Sequence, residues 1–391
     1  MQEFETLTCV DFVTRSNEPN AIQITSGAGC WSYVGMNGGL QEVSISQKTC
    51  MIKGVIQHEI NHALGFVHEH VRDDRDNYVD IITENIQPAL IGNFEKENTV
   101  DLKIVYDYVS VMHYPRNAYS ISPSLDTIVP KPDPNIEIGQ KYGLTNLDIL
   151  KINALYRCDV CSTLLSDISG TMFSPNYPSL YSNNAKCVWL IRIPSKQVSI
   201  QFVAFDVQNT PNCASDYIKI YNGATRSDPV LWDKTCGSVN LPPIVSTSNL
   251  MLIEFVTDGE RPMTGFKALY NTVSCGGTFT SLSTTFTSPG YPTAYPSNAN
   301  CTWSIMAPVG FKIVLTILSI EVELSSSCRY DSLTIYDGTN TAATVLRRAC
   351  GSLVFGNQVS TGRYMLVVFS SDASGQAKGF QVLYTTIPKI S

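Results

Sequence analysis

His58-Glu59-Ile60-Asn61-His62-Ala63-Leu64-Gly65-Phe66-Val67-His68 contains three of the five histidines in this chain, and all five fall between His58 and His113. On a helix, residues four apart share a face, so His58 and His62 can aim ring nitrogens at one ion. Gly65 can take the positive φ that ends a helix, letting the chain double back and deliver His68 as a third nitrogen ligand. Three protein nitrogens leave a fourth position for water, which distinguishes a catalytic zinc site from a structural one. Glu59, one residue after the first ligand, is placed to take a proton from that water as it attacks a peptide carbonyl. The plain alternative is a chance cluster of histidines, expected on the order of once in ten thousand chains of this length.

After the polar stretch 95–101 comes Ser110-Val111-Met112-His113-Tyr114. With the continuation Glu69-His70-Val71-Arg72-Asp73-Asp74-Arg75-Asp76, these strings resemble the metzincins and, within them, the astacin family. The resemblance implies an α+β zinc-protease domain in which Met112 is an apolar floor under the metal and Tyr114 stabilises the oxyanion. Core packing for Met112 and a buried, satisfied hydroxyl for Tyr114 are the structural alternatives. His70 and His113 offer no ligand geometry and read as structural or surface residues. The resemblance also implies that Glu69 meets an N-terminus released on activation; a solvated acid or a pair with Arg72 are its other readings. A helix is predicted over 52–64 and a strand over 41–46, preceded by Gly38-Gly39. If that strand is the sheet edge above the cleft, as in the family, a peptide can add to it as an antiparallel strand. The substrate pocket is expected within the proline-containing segment 119–142.

With 391 residues, 43% hydrophobic and 16% charged, the chain has the composition of a globular protein of two or three domains. A net charge of -7 without a basic stripe argues against nucleic acid as a partner. No run of 18 or more apolar residues is present, so no membrane span is expected; the nearest, 311–320, reads as a strand.

Cys161, Cys187, Cys213 and Cys236 recur as Cys275, Cys301, Cys328 and Cys350, at offsets of 114, 114, 115 and 114. That register means a tandem repeat with disulfides inside each copy, and disulfides imply an oxidising compartment. The same register relates Ser174-Pro175-Asn176-Tyr177-Pro178 to Ser288-Pro289-Gly290-Tyr291-Pro292, Trp189 to Trp303, and Gly265-Phe266 to Gly379-Phe380. Short alternating segments at 198–205, 217–221, 250–255, 312–318, 332–336 and 364–369, separated by Gly, Pro, Asn and Ser, indicate antiparallel β-sandwiches. Both copies resemble CUB domains. The domains are therefore expected at 1–159 (protease), 161–273 and 275–387 (two all-β CUB sandwiches). The expected pairs within the copies are Cys161–Cys187, Cys213–Cys236, Cys275–Cys301 and Cys328–Cys350; the astacin resemblance adds Cys9–Cys158 and Cys30–Cys50. Cys158-Asp159-Val160-Cys161 has redox C-x-x-C spacing, but no βαβ pattern surrounds it and the repeat assigns its cysteines to different domains.

In the second copy, Glu323, Asp331 and Asp372, with Tyr295, occupy the positions at which CUB domains that bind calcium place these groups. Converging acids would repel unless a hard cation neutralised them; solvated surface acids are the alternative. The first copy departs, with Gln208 in place of the glutamate beside Asp216, Asp258 and Tyr181, so its site is expected to be weaker. Asn300-Cys301-Thr302 fits the N-glycosylation pattern, with a cysteine in the middle.

The chain begins Met1-Gln2-Glu3-Phe4, without the features of a signal peptide, and eight residues precede Cys9. Astacins carry more before that cysteine, so a fragment of a longer secreted chain is expected, its protease domain N-terminally incomplete. The functional expectation is a secreted zinc endopeptidase acting on extracellular glycoproteins. A protease followed by two CUB copies looks most like amphibian and bird hatching enzymes, which degrade the egg envelope. A tolloid-like processor of matrix or pro-proteins is the rival enzyme, although no EGF module intervenes. A non-catalytic CUB protein that binds glycoproteins is the rival from another class.

Overall fold

The computed structural model describes residues 1–391 apart from Asp101, Ser195, Ile390 and Ser391, and it divides into two units, Met1–Leu164 and Leu165–Ser391. Asp101, the last residue of the polar stretch noted above, thus lies outside the described residues. The first unit opens with helix α1 (Gln2–Leu7) and a sheet of β1 (Ala21–Thr25), β2 (Cys30–Ser32) and β3 (Leu40–Ile45), followed by helix α2 (Lys53–Ala63). β4 (Val79–Ile81) and β5 (Ile128–Pro130) form an antiparallel pair, and helix α3 (Asn146–Tyr156) closes the unit. Disulfides join Cys9 to Cys158 and Cys30 to Cys50.

The three-stranded sheet has the order β1-β3-β2, with β3 parallel to β1 and antiparallel to β2. The predicted strand 41–46 is therefore the middle strand, which corrects its expected place at the sheet edge. The physical reason is burial: Val43 and Ile45 pack into a cluster with Cys50, flanked by Cys30, Val55, Ile56 and Ala63, and β3 has strand partners on both sides. The free edges belong to β1 and to the short β2, where Trp31 is more than a third exposed.

α2 ends as its glycine requires. Gly65 has φ +102°, and the N–H groups of Gly65 and Phe66 donate to the carbonyls of His62 (2.9 Å) and Asn61 (3.0 Å). This Schellman pattern satisfies the last carbonyls and turns the chain back towards His68. At the other end of the unit, Thr145 and Asp148 form a reciprocal capping box at the start of α3.

The first sandwich comprises β6 (Cys161–Leu165), β7 (Ser169–Phe173), β8 (Lys186–Arg192), β9 (Gln197–Asp206), β10 (Tyr217–Tyr221), β11 (Val230–Thr235), β12 (Ile244–Val245), β13 (Leu250–Val256) and β14 (Gly265–Val273). The second repeats it as β15 (Gly276–Phe279), β16 (Ser283–Thr287), β17 (Asn300–Met306), β18 (Phe311–Glu321), β19 (Ser332–Asp337), β20 (Thr344–Ala349), β21 (Gln358–Val359), β22 (Tyr364–Ser370) and β23 (Gly379–Pro388). Its sheets have the orders β15-β17-β22-β19-β20 and β16-β23-β18-β21; the first copy carries the corresponding β11-β10-β13-β8 and β12-β9-β14-β7. In the second sandwich pairing is antiparallel except at β15, which runs parallel to β17.

The repeated sequence words acquire a common cause. Ser174 Oγ accepts from Phe266 N–H (2.9 Å) and Ser288 Oγ from Phe380 N–H (3.0 Å). A Cβ on Gly265 or Gly379 would lie 1.9 or 1.8 Å from those hydroxyl oxygens, so the serine and the glycine require each other. Trp189 and Trp303 meet Phe266 and Phe380 edge-on inside the two cores. Disulfides join Cys213 to Cys236, Cys275 to Cys301 and Cys328 to Cys350; Cys161 and Cys187 are also disulfide-bonded. Asn300 is exposed at the start of β17. The chain is thus an α+β unit followed by two β-sandwiches, and among the described residues no helix is long and apolar enough to cross a membrane.

Candidate active site

His58 and His62 project from one face of α2, and the turn after Gly65 brings His68 to meet them. The Nε2 atoms of His58 and His62 each stand 3.2 Å from Nε2 of His68. His58 Nδ1–H donates to the Val111 carbonyl (2.7 Å) and His62 Nδ1–H to the Phe66 carbonyl (2.8 Å), which leaves both Nε2 lone pairs facing inward. Lone pairs this close, without protons between them, repel unless a cation sits among them. Around a tetrahedral zinc with bonds of about 2.1 Å the nitrogens would be about 3.4 Å apart, so the three residues fit the ion. Burial pushes His58 below the usual imidazole range and His62 down to about 4, so both rings are neutral and able to ligate at physiological pH. Glu59 is buried beside them, and desolvation raises its carboxyl to about 7.

The segment beneath the histidines is clamped by α3. Asp148 accepts from Ser110 Oγ (2.6 Å), Val111 N–H (3.0 Å) and Thr145 N–H (3.0 Å). The Val111 carbonyl in turn orients His58, so one helix-capping carboxylate reaches the metal site through a single residue. Met112 is buried in this turn, and its carbonyl accepts from Glu69 N–H (3.0 Å). Glu69 pairs with Arg72 (2.9 Å), one of the readings open from sequence, and also with Lys151 (2.6 Å) and Asp107 N–H (2.9 Å). Glu69, Arg72 and Lys151 line a cavity of about 470 Å³ together with Val34, Phe66 and Leu155.

Tyr114 is half-buried against His68, ring centroids 4.3 Å apart. Burial and the neighbouring Tyr119 and Glu59 push its hydroxyl well above the usual phenol range, so it keeps its proton. His70 and His113 are both buried, so neither is a surface residue. His113 accepts from Tyr106 Oη (2.7 Å) and donates through Nδ1 to the Tyr114 carbonyl (2.7 Å). Asp148, Lys151 and Asp107 were missed in the sequence; the Thr145-x-x-Asp148 capping spacing was the one signal available for them.

In the second sandwich, carboxylate oxygens of Glu323, Asp331 and Asp372 lie within 4.8 Å of one another. Asp331 accepts from Tyr295 Oη (2.6 Å) and Asp372 N–H (2.7 Å), while Glu323 N–H donates to Tyr295 Oη (3.0 Å). Glu323 Oε2 is buried without a hydrogen-bond partner. Burial, with the charges of Asp331 and Asp372, pushes that carboxyl above the ordinary range. A bare acid oxygen beside two others suits a hard cation. The first sandwich keeps the frame, with Asp216 accepting from Tyr181 Oη (2.5 Å) and Asp258 N–H (2.7 Å), and Gln208 N–H donating to Tyr181 Oη (3.0 Å). There the third group is the neutral amide of Gln208, its Oε1 likewise buried and unpartnered.

Three converging imidazoles, an adjacent carboxylate and a proton-bearing tyrosine on an α+β frame define a metal-dependent peptidase type of site. Residues 1–157 match the profile of the Astacin peptidase family, and residues 161–270 and 275–384 that of the CUB domain. The chain belongs to the astacin family of metalloproteases, in a form that carries two CUB domains. It is 53% identical over 388 residues to "Embryonic protein UVS.2" of Xenopus laevis, covering 99% of this chain and 75% of that protein. It is 51% identical over 271 residues to "Astacin-like metalloendopeptidase" of Coturnix japonica, covering 69% of this chain and 66% of that protein. The solved structure of high choriolytic enzyme 1, a hatching enzyme zinc-protease from Oryzias latipes, matches at 51% identity with a TM-score of 0.40, over 40% of this chain and 79% of that one.

Proposed function

We propose that this chain is a secreted zinc endopeptidase that hydrolyses peptide bonds of extracellular proteins. The reading is carried by the convergence of His58, His62 and His68 through Nε2 atoms 3.2 Å apart, with Glu59 buried beside them. A zinc ion held there supplies Lewis acidity to the scissile carbonyl and to a water. Glu59, its carboxyl raised to about 7, takes the proton of the attacking water and passes it to the departing amine. Tyr114 keeps its proton and donates it in a hydrogen bond to the developing oxyanion. Met112 packs beneath the histidines as the apolar floor. The free edge of β2, in place of the strand expected from sequence, is where an extended substrate would pair, its alignment coming from main-chain hydrogen bonds.

The protease part spans 1–159 and the sandwiches 161–273 and 275–387, the second holding calcium through Glu323, Asp331 and Asp372. Secretion is supported by the disulfides, which persist in oxidising compartments. Egg-envelope glycoproteins are the proposed substrate, supported by the order of one protease part and two CUB sandwiches and by similarity to an embryonic protein over nearly the whole chain.

Zinc content and peptidase activity, measured beside Glu59→Gln, test the chemistry. Removal of a general base should cost about 10²- to 10⁴-fold in rate. Full activity in Glu59→Gln would sink the mechanism, and a chain that takes up no zinc would favour a glycoprotein-binding role. Incubation with isolated egg envelopes tests the substrate. Envelopes left intact by a chain that cleaves other proteins would remove the hatching role and point to matrix or pro-protein processing.

A further inference from the structure

Tyr114 is surrounded by four rings, and they do not contribute alike. His68 lies at 4.3 Å but tilted by 54°, Tyr119 at 5.6 Å and 63°, and Phe94 at 5.9 Å and 78°. His70 alone among them stacks on Tyr114, its centroid 4.1 Å away and its plane only 27° off parallel. The His70 ring is itself immobilised. It has no exposed surface, Nε2–H donates to the Asn93 carbonyl (3.1 Å), and Phe94 meets it edge-on at 5.3 Å. Arg75 Nη1 bridges the backbone carbonyls of His70 and Phe94, at 2.9 Å each, and so fixes the two segments that hold the ring.

A parallel ring against one face of a tyrosine favours the orientation in which the two planes stack. An oxyanion donor works only if it stands ready at hydrogen-bonding distance from charge that develops in the transition state. We propose that His70 is a positioning residue for Tyr114, a buried stacking platform that sets the phenol beside the third metal ligand so that its hydroxyl meets the oxyanion. The inference rests on the reading of Tyr114 as the oxyanion donor. Because the donor acts in the transition state, loss of the platform lowers kcat and leaves KM nearly unchanged.

The test uses the full chain with His70→Leu and His70→Phe, each in the unaltered and the Tyr114→Phe backgrounds. Both substitutions fill the site and remove the hydrogen bond to Asn93; only His70→Leu removes the stacked ring. Kinetics on a peptide substrate are read beside zinc affinity by chelator competition. Stacked aromatic pairs imply a fall in kcat of roughly 2- to 12-fold for His70→Leu. His70→Phe should recover most of that loss, zinc affinity should hold in both, and His70→Leu should cost nothing further when Tyr114 is phenylalanine. Equal kcat in the Leu and Phe variants, an equal fractional loss in the Tyr114→Phe background, or weakened zinc binding in both would overturn the proposal. A Tyr114→Phe chain with full activity would overturn the donor reading as well, which separates the two failures.

Discussion

Replacing Asp148 with alanine should damage the metal site without touching a ligand. The carboxylate is buried and accepts three hydrogen bonds, of which those from Ser110 Oγ (2.6 Å) and Val111 N–H (3.0 Å) fix the turn whose carbonyl orients His58. Leaving two buried donors unpaired costs about 1 to 3 kcal/mol each, so the protease part should lose about 2 to 6 kcal/mol. Groups that orient a ligating histidine typically influence metal affinity by about 10- to 100-fold, and zinc binding should weaken by that factor. Chelator competition gives the zinc affinity, and denaturant unfolding monitored on the zinc-loaded and zinc-free chain gives the stability. Asp148→Asn keeps one acceptor oxygen and should fall between. An Asp148→Ala chain that holds zinc as tightly as the unaltered one would refute the link from α3 to His58.

Asp107 gives a pH dependence: burial, followed by repulsion from Asp148, raises its carboxyl from an ordinary value near 3.8 to about 6. The folded chain therefore binds this proton more tightly than the unfolded one. Stability from it is full below the unfolded value and is lost as pH rises through about 6, an effect of at most about 3 kcal/mol. Asp107→Asn should flatten that slope and exceed the unaltered chain in stability at neutral pH; an unchanged slope in unfolding measured from pH 4 to 7 would contradict it. Glu323→Gln copies the first sandwich into the second, and calorimetry should show calcium affinity reduced by roughly an order of magnitude or more. Unaltered affinity would remove Glu323 from the site. Gly65→Ala has room for its methyl, with Leu155 Cδ2 at 3.9 Å, so a loss of about 1 to 2 kcal/mol in thermal unfolding should come from backbone strain at φ +102°. No loss would mean that the turn relaxes.

Local patterns were legible where one residue's chemistry implied its neighbour's. The helix predicted over 52–64 forms at Lys53–Ala63, and the segments at 217–221, 250–255 and 364–369 form strands within a residue of those bounds. The position of β3 was not legible. Alternating burial identifies a strand but not its neighbours, and the pairing of β1 and β2 on either side of it arises from residues ten to twenty positions away. His70 stands at no ligand spacing, so nothing along the chain marks it. Its role depends on Tyr114, forty-four residues later, and ring stacking leaves no periodic mark on a sequence.

The sequence by itself marked the histidine string, the acid beside it and the tandem register of cysteines, because each is a matter of residue type and spacing along the chain. Tertiary structure alone decided which strand edge stays open, which carboxylate holds the turn under His58, and which ring supports Tyr114. Those are contacts between segments distant in the chain, fixed by packing and hydrogen bonds that form only when α3, the turn at Met112 and the segment after His68 come together. The histidine string supplies three ring nitrogens that could hold a metal ion, and distant partners set the geometry in which they converge.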